Sequence, residues 1–333
     1  MAKKTEEEAT TPERAIELAI AQIDREFGKG SVMRLDGNPV PWEAISTGSM
    51  ALDLALGIKG LPKGRIAEIH GLEGSGKSTM CLQVVANAQR EGGKCLFIDA
   101  EHAIDPVYAK ALGVNLEEMY LSQPASGEEA IDVLEKLVKT GAFAVAVVDS
   151  VAAMVPKAEL EGDMSTQHMG LQPRLMAKAM RKLVGIAAET NTMIVFTNQI
   201  REKVGVMYGN PMVTPGGHAL RFAASVRIEL RRIDKHVSSD GEIIGSKIRA
   251  KVIKNKMAPP LKQVEFNITY GIGVDKVHDI ATVAYELGVL ERAGAWYRYN
   301  GENVGNGFDK TVFALEDDPE LTERIKQDIY ERL

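Results

Sequence analysis

The sequence predicts an α/β fold built on a mostly parallel sheet, and three observations lead to that prediction. Apolar, strand-like segments alternate with amphipathic helical segments from about residue 42 to residue 274. The early strands are continuous apolar runs, which is typical of a parallel sheet covered by helices on both faces. Residues 71–78 form a glycine-rich turn between the first of these strands and a helix, at a position where open α/β sheets bind ligands.

Length and composition indicate a globular protein with more than one folded unit. The chain has 333 residues, of which 45% are hydrophobic and 26% charged, and a single core rarely extends over so many residues. There is no apolar h-region at the N-terminus, and no stretch approaches the roughly 18 uninterrupted apolar residues of a membrane span. These features predict a cytoplasmic protein without a membrane anchor. Cys81 and Cys95 are expected to be buried reduced thiols.

The first predicted element is an amphipathic helix over residues 11–27. Thr11 is a suitable N-cap, Pro12 fits the first turn, and Gly28 ends the helix. One face carries apolar side chains at helical spacing: Ile16, Ile20, Ile23 and Phe27. A linker rich in Gly and Pro follows. We therefore expect residues 1–38 to form a separate unit, whose apolar stripe packs on its own core or on a neighbouring subunit.

The predicted main domain covers residues 39–274, with strands expected at 65–70, 94–99, 143–148, 192–197, 225–231, 247–254 and 263–269. The last three strands are joined by short connections and are expected to be antiparallel additions at one edge of the sheet. Residues 275–333 differ in character and predict a small separate α/β domain, with short strands around 296–299 and helices at 278–288 and 319–332.

The turn at residues 71–78 fits the pattern G-x-x-x-x-G-K-[ST] at every fixed position. Its glycines let backbone N–H groups surround phosphate oxygens, and the helix that follows adds partial positive charge. Lys77 is expected to reach the β- and γ-phosphates of ATP, and Ser78 to ligate Mg²⁺. The other predicted nucleotide contacts in this turn are Gly71, Glu73, Gly74, Ser75, Gly76 and Thr79.

Polar side chains follow three further strands, where the carboxyl ends of parallel strands meet at one edge of the sheet. Asp149 ends an apolar strand and is expected to hold the metal beside Ser78. Either Asp99 or Glu101 could orient the water that attacks the nucleotide. The amide of Gln199 could sense the γ-phosphate, or it could simply satisfy the backbone of its loop.

Two aperiodic segments and a basic block suggest a nucleic-acid site. The segments span residues 159–170 and 201–221, and the first precedes a helix with Arg174, Lys178 and Arg181 on one face. Residues 221–262 contain eleven Lys or Arg and four acids, although the whole chain has a net charge of −6. This pattern fits contact with the phosphates of a single strand, and a solvated strand face is the alternative for the basic block.

These residues resemble bacterial RecA recombinases over nearly the whole chain. The stretches that carry the resemblance are 27–31 (FGKGS), 46–49 (STGS), 97–103 (FIDAEHA), 147–153 (VVDSVAA), 198–201 (NQIR), 254–256 (KNK) and 293–297 (AGAWY). The resemblance implies a RecA-like phosphate-loop ATPase core with an N-terminal helix extension and a small C-terminal domain. It also implies an ATP-dependent helical filament on single-stranded DNA that pairs it with homologous duplex, in recombination, repair and the SOS response.

The resemblance also implies roles for individual residues. Glu101 would be the water-activating base, and Gln199 the γ-phosphate sensor coupled to the 201–221 segment. Asp105 and Tyr108 would lie by the adenine, while Lys254 and Lys256 would reach the ATP of the neighbouring subunit. A LexA-type repressor is implied as a further partner. The implied DNA contacts are Met169, Gly170, Arg174, Arg181, Arg201, Met207, Tyr208, Gly216 and Gly217.

The chain departs from the family pattern mainly in its predicted DNA loops, at residues 165–167 and at Met212, Pro215 and His218. The alternatives are a ring helicase, a branch-migration factor or a filament scaffold without turnover. Two cysteines cannot build the four-Cys zinc module of branch-migration relatives, and ring helicases use Arg where Lys254 and Lys256 stand. Intact Lys77, Glu101 and Asp149 argue against a scaffold without turnover.

Overall fold

The computed structural model describes residues 11–32, 41–163, 170–202, 212–238 and 240–332. It divides into two compact units, Met1–Pro41 and Trp42–Leu333. In the first unit, helix α1 (Pro12–Phe27) confirms the helix predicted at 11–27. The Thr11 hydroxyl accepts a hydrogen bond from Arg14 N at 3.4 Å, and Gly28, with a φ of 98°, ends the helix.

The helices of the larger unit are α2 (Met50–Leu56), α3 (Lys77–Arg90), α4 (Pro106–Ala111), α5 (Gly127–Val138), α6 (Lys157–Leu160), α7 (Leu171–Thr190), α8 (Ala219–Ala223), α9 (Lys276–Glu286), α10 (Phe308–Asp317) and α11 (Pro319–Glu331). None of the helices in the described ranges is long and apolar enough to cross a membrane.

The strands are β1 (Ala44–Ile45), β2 (Leu61–Pro62), β3 (Ile66–Gly71), β4 (Lys94–Asp99), β5 (Met119–Ser122), β6 (Phe143–Asp149), β7 (Met193–Gln199), β8 (Arg201–Glu202), β9 (Met212–Val213), β10 (Val226–Val237), β11 (Ile243–Asn255), β12 (Gln263–Thr269), β13 (Gly273–Val274), β14 (Leu290–Ala293), β15 (Trp296–Tyr299) and β16 (Glu302–Asn306). All seven predicted main-domain strands are present.

The central sheet has nine strands in the order β13-β12-β11-β10-β3-β7-β6-β4-β5. Strands β3 to β7 are parallel to one another, which confirms the predicted fold class. The expectation of three antiparallel additions is correct for β11 and β12 and wrong for β10, which is parallel to β3. The reason is that residues 214–224, including α8, return the chain from the carboxyl end of β7 to the amino end of the sheet, so β10 repeats the direction of β3.

Strand β5 was not predicted, because its apolar run of three residues is too short to indicate a strand and shows no alternation. It forms the edge of the sheet, and its Tyr120 and Leu121 are about half exposed, at 48% and 46%. The segment 201–221 is also more regular than expected, since β8 pairs with β9 and α8 precedes β10.

Hydrophobic side chains fill both faces of the sheet. Ile69, Val195 and α3 belong to the core on one face, while Ile66, Phe196 and α7 belong to the core on the other. A third core holds together α9, β14–β16, α10 and α11, and the predicted strand at 296–299 and the two helices are confirmed there. The fold therefore brings the carboxyl ends of β3, β4, β6 and β7 to one edge of the sheet.

Candidate functional site

The glycine-rich turn joins β3 directly to α3, and close packing explains its first glycine. A Cβ atom on Gly71 would lie 2.3 Å from Leu230 O and 2.5 Å from Ser75 Oγ, so a larger residue cannot stand there. Helix α3 begins at Lys77, and its N-terminus therefore faces the turn. The Ser75 hydroxyl is buried and has no hydrogen-bond partner among the described residues. A phosphate oxygen would supply the missing acceptor, so the residues present fit a bound nucleotide.

Lys77 and Asp149 lie close enough to influence each other's charge. Partial burial lowers the pKa of the Lys77 ammonium, and the carboxylates of Asp149 and Glu101 oppose that shift. The ammonium donates a hydrogen bond to Leu72 O at 2.9 Å. The arrangement places a cation inside the turn and two acids beside it.

Asp149 lies at the bottom of the site, at the end of β6. Burial raises the pKa of its carboxyl group, while hydrogen bonds from Ser78 and Thr197 oppose that shift. Ser78 and Asp149, the two predicted metal ligands, are therefore direct neighbours. Oxygen ligands of this kind suit Mg²⁺.

The two candidate water-orienting acids differ in their hydrogen bonds. Asp99 is only 2% exposed, and its carboxylate accepts bonds from Ala103 N at 3.2 Å, Ile104 N at 3.1 Å and Gln123 Nε2 at 3.0 Å. It is therefore occupied in holding the loop after β4. Glu101 is exposed and accepts a bond from Gln199 Nε2 at 3.2 Å. The geometry favours Glu101.

A cavity of about 210 Å³ joins these groups to the predicted adenine contacts, and Ser78, Glu101, Asp105, Tyr108 and Asp149 are among the residues that line it. The Tyr108 hydroxyl lies 2.9 Å from Thr79 Oγ1, and Asp105 caps α4 by accepting a bond from Val107 N at 2.8 Å. A larger groove of about 690 Å³ lies between α5, α6 and α7, and none of the predicted nucleotide contacts lines it.

The structure does not bring Lys254 and Lys256 to the phosphate turn of their own chain. Lys256 N donates to Ser225 O at 3.0 Å, and Ser225 N donates to Ile66 O at 2.8 Å, at the first residue of β3. Gly71 is the last residue of β3, about 16 Å away at the usual rise of a strand. Lys254 Nζ donates to Arg221 O at 2.7 Å and to Phe222 O at 3.0 Å.

The predicted DNA contacts that are described lie near the same carboxyl edge or on α7. Arg174 and Arg181 are exposed on α7, which Gly170 precedes as N-cap, and Arg201 is exposed on β8. Gly216 and Gly217 have positive φ values, and Cβ atoms there would lie 2.8 Å from Val151 Cγ1 and 3.1 Å from Pro173 Cβ. These glycines let the returning segment pack on the start of α7.

Met169, Met207 and Tyr208 lie outside the described residues. Ser150 and Thr197 were not predicted as site residues, and their hydroxyls donate to Glu101 and Asp149 respectively. Their only sequence signal is a polar residue at or next to the end of an apolar strand.

Comparisons with known proteins identify the family. A family model described as the RecA N-terminal domain matches residues 14–275, and one described as the RecA C-terminal domain matches residues 278–333. The protein RecA of Rhodospirillum rubrum is 52% identical over 316 residues, which cover 94% of this chain and 86% of the relative. The protein RecA of Thermus thermophilus is 51% identical over 320 residues, which cover 96% of this chain and 94% of the relative.

Proposed function

The chain belongs to the RecA family and is a DNA-dependent ATPase of recombination and repair, and from that premise we propose how its residues perform this work. The nucleotide is ATP, bound with Mg²⁺ by the turn at residues 71–78. The observation that carries the proposal is that Lys77, Glu101, Asp149 and Gln199 meet at one edge of the sheet.

In this site each side chain has a distinct task. Ser75 and Lys77 bind phosphate oxygens, and Ser78 and Asp149 hold Mg²⁺, which neutralises phosphate charge when bound. Glu101 orients the attacking water and accepts its proton. Lys77 stabilises the charge that develops on the transferring phosphoryl group. Asp105 and Tyr108 form the adenine side of the cavity.

Gln199 connects this chemistry to DNA. Its amide contacts Glu101, and the chain continues directly into Arg201 and the segment that returns at Gly216 and Gly217. We assign Gly170, Arg174, Arg181, Arg201, Gly216 and Gly217 to single-stranded DNA, together with Met169, Met207 and Tyr208. Contacts to phosphates make such binding nearly independent of base sequence.

Lys254 and Lys256 act on the ATP of the next subunit in a helical filament. The support for this assignment is that neither lysine lies at the phosphate turn of its own chain. Lys256 is at the amino end of the sheet, and Lys254 is level with the middle of β3 on another strand. Residues 1–38 link subunits, residues 39–274 form the ATPase core, and residues 275–333 form the small C-terminal domain. Homologous duplex DNA and a LexA-type repressor are the further partners, and the cytoplasm is the location.

The test is ATP turnover with and without single-stranded DNA, combined with strand pairing on homologous and unrelated duplexes. We expect strong stimulation by the single strand and pairing only with the homologous duplex. An ATP turnover that is the same with and without DNA would refute the assigned mechanism.

A further inference from the structure

A buried polar connection crosses three strands in the middle of the sheet. Glu68 lies halfway along β3 and is 0% exposed. Its carboxylate accepts a hydrogen bond from Arg227 Nε on β10 at 2.5 Å and from Asn198 Nδ2 on β7 at 3.1 Å. A buried ion pair contributes little net stability compared with apolar packing, because both charges lose their hydration. Stability alone therefore does not account for this pair.

Glu68 is the acid that balances Arg227. His70 lies two residues further along β3, on the same face, but burial lowers its pKa to about 4, so its imidazole is neutral near pH 7. Glu229 pairs with Arg231 instead. Removing the charge of Glu68 consequently leaves the guanidinium of Arg227 without a compensating partner.

Asn198 lies near the carboxyl edge of the sheet, where the proposed nucleotide site is. Asn198 is bonded through one peptide to Gln199, whose amide contacts Glu101. The Asn198 Nδ2 group also donates to Pro215 O at 3.1 Å, in the segment that returns from the predicted DNA loop. A movement of Gln199 along β7 therefore disturbs the contact between Asn198 and Glu68.

The Arg227 end leads to Lys254, which is its cross-strand neighbour on β11. Burial lowers the pKa of the Lys254 ammonium, the charges of Lys256 and Arg227 lower it further, and Glu68 opposes them. The ammonium is held by Arg221 O and Phe222 O. Lys254 therefore lies beside the pair of Glu68 and Arg227, and both charges of that pair act on its ammonium.

We propose that Glu68 is a positioning residue that couples the nucleotide site of one subunit to the lysine acting on the next. A shift of Gln199 is passed through Asn198 and Glu68 to Arg227, and Arg227 sets the position of Lys254. This inference rests on the roles proposed for Gln199 and Lys254. It adds a path within the subunit between two ATP sites of a filament.

The first test is Glu68→Gln, which keeps the hydrogen bond to Asn198 and removes the charge. We expect DNA-stimulated kcat to fall about tenfold, with the KM for ATP and the turnover without DNA nearly unchanged. Val195→Ala is the matched control, because Val195 is buried on β7 but faces the other side of the sheet. It should lower the melting temperature through a cavity and keep full DNA stimulation.

The second test uses mixed filaments, since a defect in Lys254 must appear at the neighbour's site. A small fraction of Glu68→Gln protein is mixed with an excess of Glu101→Gln protein, which supplies an undisturbed Lys254 and hydrolyses ATP about 100-fold more slowly. The turnover of Glu101→Gln protein alone is measured and subtracted. Turnover per Glu68→Gln subunit should then rise several-fold toward the wild-type value. A local defect in folding or in ATP binding would not be rescued in this way.

Arg227→Gln and the double variant Glu68→Gln/Arg227→Gln complete the design. Both charges act through one pair, so the double variant should lose no more stimulation than the worse single variant. Full stimulation in Glu68→Gln, or no rescue in mixed filaments, would overturn this inference and leave the proposed function intact. Absence of DNA stimulation in the wild-type protein would overturn both.

Discussion

The two ends of the central sheet carry different chemistry. At the carboxyl end, Lys77, Glu101, Asp149 and Gln199 of one chain lie together. Towards the amino end, Lys254 donates to two backbone carbonyls of α8, and the charges of Lys256 and Arg227 act on its ammonium against the charge of Glu68. We propose that the carboxyl end binds and hydrolyses ATP, and that the Lys254 side chain acts on the ATP of the next subunit.

Loss of the Lys77 side chain at the carboxyl end of the sheet should have the largest effect on ATP turnover. Lys77→Ala removes the cation nearest to the transferring phosphoryl group, so turnover should fall about 1,000-fold. The fold should persist, because the Lys77 side chain is half-buried and donates only to Leu72 O. Steady-state turnover and circular dichroism of the same sample check both parts. Substantial turnover in this variant would show that the turn at residues 71–78 is not part of the catalytic site.

The next prediction distinguishes Glu101 from Asp99 as the residue that activates the attacking water. Glu101→Gln should bind ATP but hydrolyse it about 100-fold more slowly, since only water activation is lost. Asp99→Asn is the matched control. Its main effect should be on stability, because Asp99 holds backbone groups of Ala103 and Ile104. If Asp99→Asn slowed hydrolysis and Glu101→Gln did not, Asp99 would be the base.

The link between subunits is the next prediction, and deletion of residues 1–33, which contain helix α1, tests it. Ile16 and Phe27 of the predicted stripe are 59% and 70% exposed, and burying such side chains on a neighbour is favourable by about 1.5–3 kcal/mol each. The deletion should leave a folded, ATP-binding monomer whose DNA-stimulated turnover falls about tenfold or more. Sedimentation with DNA and a non-hydrolysable ATP analogue measures assembly. Long filaments from the deleted protein would contradict the assignment.

A smaller effect is expected at the DNA surface. Arg174→Ala combined with Arg181→Ala should weaken single-strand binding about tenfold and reduce its dependence on salt. Lys310→Ala serves as a control for the loss of an exposed cation, because Lys310 lies on α10 in the small C-terminal domain. Fluorescence anisotropy across a range of salt concentrations gives both quantities. An unchanged salt dependence would exclude these two residues from the phosphate contacts.

Substitution of Asp53 should have the smallest effect on activity, because Asp53 lies at neither end of the sheet. Burial raises its pKa to about 7 and that of nearby Asp279 to about 6. The folded state therefore binds a proton on each of these carboxyl groups more tightly than the unfolded state does. Protonation of the two groups stabilises the protein, and this stabilisation is largest at low pH. This contribution disappears as pH rises from about 4 to about 7, with a total on the order of a few kcal/mol. Urea unfolding at pH 5 and pH 8 should show a smaller difference for Asp53→Asn than for the wild type.

Several elements could be predicted because their signals are local. The phosphate turn is recognisable from eight consecutive residues, and the buried parallel strands are recognisable from continuous apolar runs. Helix α1 was predicted from its cap, its apolar spacing and its final glycine. The short edge strand β5 was missed because four mixed residues contain no periodicity.

The fold class, the nucleotide turn and the polar side chains at the strand ends thus follow from local patterns in the sequence. Which of those side chains are free to act depends on long-range contacts. Asp99 and Glu101 are two residues apart, and the difference between them arises from contacts with Gln123 and Gln199 in other elements. The direction of β10 and the contacts of Glu68 with Asn198 and Arg227 depend likewise on strand order and register. Residues 130 and 159 positions apart meet there, and no local pattern contains such a pairing.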